Sequence, residues 1–279
     1  MTRSNPVGAR VATVGPLASR LIAVLHERGR LIFSLNDVIE ITALSAASAS
    51  AFAAKLANRG LVTRLKSGLF VLVPLEFGNT GYIGNPYAVA REVAGGLDYY
   101  LSHASAMDIH QITTQPSFVI YVSTTQRLRT QIIHGMQFRM VHIKRKNFFG
   151  TIDHWLDKQQ RVTVSDLERT IIDGLNDPNY CGGFSEVAKG FWMRRQDISV
   201  QRLVEYALRL GVGSVIRRTG YLLDLWRKDA VDEVAQLRRR LTSTYVLLDP
   251  GLPASGRYLR RWRLRLNVSE TELSSIVKT

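Results

Sequence analysis

Six histidines (His26, His103, His110, His134, His142 and His154) are scattered along the 279 residues, and no pair has the i, i+4 spacing that sets two metal ligands on one helix face. Cys181 is the single cysteine, which excludes an internal disulfide and a Cys-x-x-Cys zinc pair. The densest carboxylates are Asp153, Asp157, Asp166, Glu168 and Asp173, and three of them have a plain structural reading. Ser165 and Glu168 are spaced as a capping box, Asp166 suits a helix N-terminus, and Asp173 lies four residues after Arg169, where a surface ion pair forms. No Gly-x-x-x-x-Gly-Lys-Ser/Thr loop is present, and Asp166-Leu167-Glu168 lacks the preceding Gly-Ser of a nucleotidyltransferase. Ser105, Ser165 and Cys181 have no general base placed by a motif. The sequence therefore predicts no catalytic residue, no metal site and no cofactor.

What remains is the chemistry of binding anions. Thirty-seven Lys and Arg face 23 Asp and Glu, a formal charge of +14, and nucleic acid is the leading partner for such an excess. The charge is divided: residues 1–80 carry 9 basic and 4 acidic side chains, 81–189 carry 11 and 10, and 190–265 carry 16 and 7. In the first basic region Lys55, Arg59, Arg64 and Lys66 stand near small or polar residues, Ser45, Ala47, Ser48, Ser50, Ala51 and Ser67. Small side chains admit close approach to base edges, and the cations suit phosphates. In the second, the alternation over 257–268 predicts one strand with Arg257, Arg261, Arg263 and Arg265 on an outer face and Tyr258, Trp262, Leu264 and Leu266 packed beneath. Arg217, Arg218, Arg238, Arg239 and Arg240 would extend that face, whose ligand is operator DNA, RNA or solvent alone.

The first set needs a helix to present it. Leu17, Leu21, Ile22, Val24 and Leu25 recur at helical spacing up to Gly29, and Ser34 caps a short helix bearing Leu35, Val38, Ile39 and Ile41. A turn at 42–45 leads to a third helix from about Ala46 to Arg59, and Gly60 stops it. Leu61–Leu65 and Leu69–Val73 then form two strands about Lys66-Ser67-Gly68, ended by Pro74. This order predicts a winged helix-turn-helix, with the third helix in the major groove and the hairpin on the neighbouring backbone. Residues 1–16 read as a flexible N-terminus, 17–80 as the winged helix, 81–268 as a larger mixed α+β domain entered through a Gly/Asn/Pro-rich linker, and 269–279 as a tail. The fold class expected is α+β.

Five stretches in order resemble the AbiEi family of type IV antitoxins over roughly residues 17–268. They are the wing residues Arg64, Gly68, Phe70 and Pro74; Leu101-Ser102-His103-Ala104-Ser105-Ala106; Val164 to Asp173; Thr219-Gly220-Tyr221-Leu222-Leu223; and Arg261-Trp262-Arg263-Leu264-Arg265-Leu266-Asn267. Phe70 stands where a tyrosine is usual in the family, a change compatible with wing packing. The resemblance implies an N-terminal winged helix that represses its own operon at inverted repeats. It also implies a C-terminal domain needed to counteract a nucleotidyltransferase-like toxin without a stable complex.

The expected function is thus an autoregulating transcriptional repressor that binds double-stranded operator DNA and serves as an antitoxin. The competing expectation is an interaction module that neutralises its partner by direct binding. The single cysteine suits a reducing cytoplasm and no apolar run of about 18 residues is present, so the chain is expected to be soluble and cytoplasmic, with no membrane partner.

Overall fold

The computed structural model describes residues 14–74, 77, 81–113, 117–158 and 160–276. The N-terminal segment through Thr13, residues 75, 76 and 78–80 of the linker expected over 75–96, and the end of the expected tail at 277–279 lie outside the described residues. The fold is mixed α+β, and the chain divides into two compact units. One runs through Glu92 and takes in Ile133–Gly135; the other comprises the rest. The division falls inside a helix, some residues beyond the Gly81 boundary expected from composition.

In the first unit, helix α1 (Pro16–Glu27) begins with Pro16 in its first turn, where a missing N–H costs nothing. Strand β1 (Ile32–Ser34) follows, then α2 (Leu35–Thr42), α3 (Ala46–Asn58), β2 (Val62–Lys66) and β3 (Leu69–Leu72). Ser34 caps α2 as expected and does so reciprocally: its Oγ accepts from Asp37 N while the Asp37 carboxylate accepts from Ser34 N at 2.7 Å. The strands form an antiparallel sheet in the order β1-β3-β2. Beneath it Leu21, Leu25, Val38, Ile41, Ala53 and Leu56 pack against Phe33 and Phe70, whose rings stack with centroids 5.8 Å apart. Helix α4 (Pro86–Ala94) comes next.

The second unit is built on six strands: β4 (Tyr99–Leu101), β5 (Val119–Thr124), β6 (Gln131–Ile133), β7 (Met136–His142), β8 (Thr151–Trp155) and β9 (Arg161–Ser165). Their order is β6-β7-β5-β4-β9-β8, with β5/β7 and β4/β9 parallel. Helix α5 (His103–Ile109) follows β4, and α6 (Leu167–Asn176) follows β9. A helical layer of α7 (Phe184–Met193), α8 (Val200–Leu210), α9 (Gly213–Trp226) and α10 (Val231–Arg238) shares one large apolar core with α6. Strands β10 (Val246–Leu247), β11 (Arg257–Leu259) and β12 (Leu264–Leu266) make a small sheet in the order β10-β12-β11. The chain then forms α11 (Glu270–Ser275), where a tail was expected; Leu273 and Ile276 are buried in the same core.

Two local expectations are corrected here. The cap of α6 is Asp166, whose carboxylate accepts from Arg169 N at 2.7 Å, so Ser165 and Glu168 do not form a capping box. Ser165 ends β9 with its hydroxyl 2.7 Å from Thr170 Oγ1, and Glu168 turns away to accept from Ser199 N. The Arg169–Asp173 pair, expected at the surface, is buried, with side chains 1% and 7% exposed. A buried carboxylate needs a partner because desolvation of a charge is costly, and Arg169 supplies it while also donating to Tyr100 Oη.

Candidate nucleic-acid interfaces

The first candidate surface is the outer side of α3. Helices α2 and α3 meet at 107° across Ala43, Leu44 and Ser45, with Ala43 in the left-handed region at φ 56° closing α2. Inward-facing Ala49, Ala53 and Leu56 are buried, which leaves Ala46, Ala47, Ser48, Ser50, Ala51, Ala54 and Lys55 exposed. Ser45 is engaged as the helix cap, accepting from Ser48 N, and its hydroxyl donates to Ser48 Oγ at 3.0 Å. Of the predicted base-facing residues, Ser45 is therefore already occupied by local structure, whereas Ala47 and Ser50 present bare surface. A methyl-and-hydroxyl face of this kind projects little, so another surface can approach the helix backbone closely.

The cations near this helix divide. Lys55 on α3 and Arg64 on β2 are exposed, and Ser67 is exposed at the hairpin turn. Arg59, the C-cap of α3, is half-buried. Lys66 is turned into its own unit, its Nζ donating to the Glu92 carbonyl at 3.1 Å, so it was misassigned as an outward cation. The hairpin is also shorter than a projecting wing. Gly68, at φ 71°, completes a tight turn, and its carbonyl accepts from Leu35 N at 2.8 Å, tying the tip to the start of α2.

The second candidate surface is smaller than the sequence suggested. Arg217 and Arg218 are each 3% exposed and sit inside the fold. Arg218 donates to the Leu175 carbonyl at the end of α6 (2.6 Å) and to Leu247 on β10 (3.1 Å), and burial lowers its pKa to about 10. Arg217 donates to Gly213 O, Thr242 Oγ1 and Thr244 O, and burial likewise lowers its pKa. Both are brackets that satisfy main-chain carbonyls. Sequence counting could not separate them from surface arginines, because their partners lie up to 43 residues away.

The predicted strand over 257–268 is instead a hairpin. The chain turns at 260–263, so Tyr258 comes opposite Arg265, and Leu259 opposite Leu264. Tyr258, expected in the packed layer, is 61% exposed, while Trp262 is fully buried with its indole Nε1 donating to Asp224 at 2.6 Å. Arg261 forms a fork onto the same Asp224 carboxylate. Arg263 and Arg265 are half-buried. Each lies against a tyrosine, Arg263 against Tyr245 and Arg265 against Tyr258, at 5.5 and 5.3 Å from the ring centroids. Arg257, Arg260 and the run Arg238–Arg240 at the end of α10 are exposed.

The residues weighed for catalysis are held by structure. Ser105 Oγ accepts from Tyr121 N at 2.9 Å, Ser165 Oγ lies 2.7 Å from Thr170 Oγ1, and Cys181 is buried with its thiol pKa pushed up by desolvation. Among the described residues no group of three or more His, Cys, Asp and Glu side chains is placed to hold a metal ion. No single helix among them is long and apolar enough to cross a membrane.

Set against known families and well-described proteins, the sequence matches none. The fold is similar to the crystal structure of the RV2827C protein from Mycobacterium tuberculosis, with a TM-score of 0.71 over 98% of each chain at 17% identity. At that identity the likeness is one of fold, and it extends over both units, from the helices of the N-terminal unit to the small C-terminal sheet.

Proposed function

We propose that this protein is a DNA-binding repressor of its own operon and an antitoxin, with the first unit acting as a winged helix-turn-helix. The observation that carries the reading is the exposed small-residue face of α3, set at 107° to α2 across a three-residue turn. Two helices at about 90–120° joined by such a turn are the geometry with which a second helix enters the major groove. The order α1-β1-α2-α3-β2-β3, with β1 pairing β3, agrees with a winged helix. Lys55 and Arg64 supply phosphate contacts at its flanks, and Ser48 and Ser50 stand where base edges would lie. With its tip tied to α2, the hairpin contributes through Arg64 and Ser67 rather than by a long reach.

The antitoxin half rests on the order of the five stretches that resemble AbiEi antitoxins. It gains support from the fact that two of them meet in space, Gly220 against Trp262. The test is a salt titration of binding to the DNA upstream of the gene, followed by co-expression with the product of the neighbouring gene. The reading requires steeply salt-dependent binding of the upstream duplex, preferred over unrelated duplex, and rescue of growth from the neighbouring product. Co-purification of that product without any DNA shift would favour direct neutralisation instead.

A further inference from the structure

A second, differently built basic site lies wholly in the C-terminal unit. The end of α10, the segment 241–243 and the β11–β12 turn enclose an open cleft of about 840 Å³. Arg238, Arg239, Arg260, Arg261 and Arg263 line it together with Thr242 and Ser243, and no carboxylate does. Arg261 is committed to Asp224, but among the described residues Arg238, Arg239 and Arg260 have no carboxylate within ion-pair distance. Three guanidinium groups therefore face one space without a carboxylate partner, with Arg263 beside them, which favours an anion of several charges.

The cleft continues into aromatic surface. Arg263 lines it, donates to Tyr245 Oη at 3.2 Å and lies against that ring. Tyr245 meets Tyr258 edge-to-face with centroids 5.0 Å apart, and Arg265 lies against Tyr258 from the adjacent strand. Arg263 takes this position with a left-handed backbone, φ 51°, a conformation that L-residues rarely adopt. Tyr258 is left 61% exposed at the end of the row. An exposed aromatic ring backed by Tyr245 and Arg265, at the edge of an arginine-lined cleft, is what a stacking platform requires. A duplex keeps its bases stacked on one another and offers phosphates alone; a single strand offers phosphates and free base faces together.

We propose that this unit binds single-stranded nucleic acid, with backbone phosphates in the arginine cleft and a base stacked on Tyr258. It is independent of the operator reading, since none of these residues belongs to the first unit.

The test uses the full chain, fluorescence anisotropy, and labelled 12-nucleotide single-stranded RNA and DNA against the duplex upstream of the gene. Tyr258→Ser should weaken single-strand binding about five-fold or more, while Tyr258→Phe keeps the ring and the affinity. Arg238→Ser with Arg239→Ser and Arg260→Ser should flatten the salt slope by about 0.7 for each phosphate no longer neutralised, so by roughly 2 units. Affinity for the upstream duplex and the melting temperature should hold in all three variants. Weaker binding on the arginine changes with no effect at Tyr258→Ser would reduce the site to a general polyanion surface and overturn the proposal. Equal weakening for duplex and single strand would make it part of the operator interface, and binding of neither oligonucleotide, with loss of a protein partner instead, would make it a protein surface. Either result overturns the assignment.

Discussion

Gly220 on α9 lies directly against the indole of Trp262 from the β11–β12 turn: a Cβ at Gly220 would stand 2.6 Å from Cζ2 and nearer still to Cη2 and Cζ3. Forty-two positions apart in sequence, the two residues are one packing unit. The absence of a side chain on α9 is what lets the largest buried ring of the C-terminal unit come close against the helix and reach Asp224 one turn on.

Gly220→Ala should therefore destabilise despite raising helix propensity. Alanine gains up to about 1 kcal/mol of propensity, whereas overpacking against a ring that cannot retreat costs about 1–3 kcal/mol or more. The melting temperature should drop, by about 2–4 °C for each net kcal/mol. Trp262→Leu in the same chain should recover part of the loss, because the clash disappears with the ring. Strictly additive effects of the two changes in thermal melts would show that the residues do not share this space.

Arg169 and Asp173 provide the second test. An exposed i, i+4 pair contributes a few tenths of a kcal/mol, but this one is buried, so removing one member strands the other. Arg169→Met should cost about 3–5 kcal/mol in urea unfolding, and Arg169→Met with Asp173→Leu distinctly less than the two single effects combined. A loss below about 1 kcal/mol for Arg169→Met would place the pair in solvent after all.

On the proposed DNA surface, Lys55→Ala with Arg64→Ala should weaken all duplexes alike and make the salt slope shallower by up to about 1.8 units, since phosphates carry no base identity. Ser50→Arg should instead change which duplex is preferred, because an exposed position on the outer face of α3 would meet base edges. Lys66→Ala should leave DNA binding nearly unchanged, its ammonium being held on the Glu92 carbonyl. A sequence-selective loss from the Lys55 and Arg64 changes would reassign those side chains to base contact.

Burial pushes the pKa values of His103 and His110 below the ordinary 6.5, so both are neutral in the folded chain near neutral pH. Below about pH 6.5 the unfolded chain takes up protons first, and stability should fall as the pH is lowered toward the folded values. Asp166 is shifted the other way, raised by desolvation, and its contribution favours folding only as the pH falls through its own lower range. Urea midpoints should thus decrease between about pH 7 and 5.5. His110→Gln, which keeps a donor for the Ser165 carbonyl but carries no titrating proton, should flatten that slope. Equal slopes in the variant and the parent would remove His110 from the account.

Residues at a regular spacing determined much of this protein by themselves. The helical recurrence in 16–27, 35–42 and 46–58, the Ser34 cap and the glycine stops give the three helices of the first basic region, because each depends only on neighbours a turn apart. The division of charge into two basic regions was legible as well, since it needs only a count along the chain. Strands β1, β4 and β6 span three residues each, too few for an alternation to register, and pairing with distant strands creates them. The fate of the arginines was likewise decided only in three dimensions. Arg217 and Arg218 are drawn inside by carbonyls that α6, β10 and the segment 242–244 leave unpaired, while Arg238 and Arg239 stay in water at a helix end. The turn at 260–263 did the rest. It folds one apparent alternation back on itself, sends Trp262 into the core against Gly220 and carries Tyr258 out beside Arg265, and no pattern within the segment records that reversal.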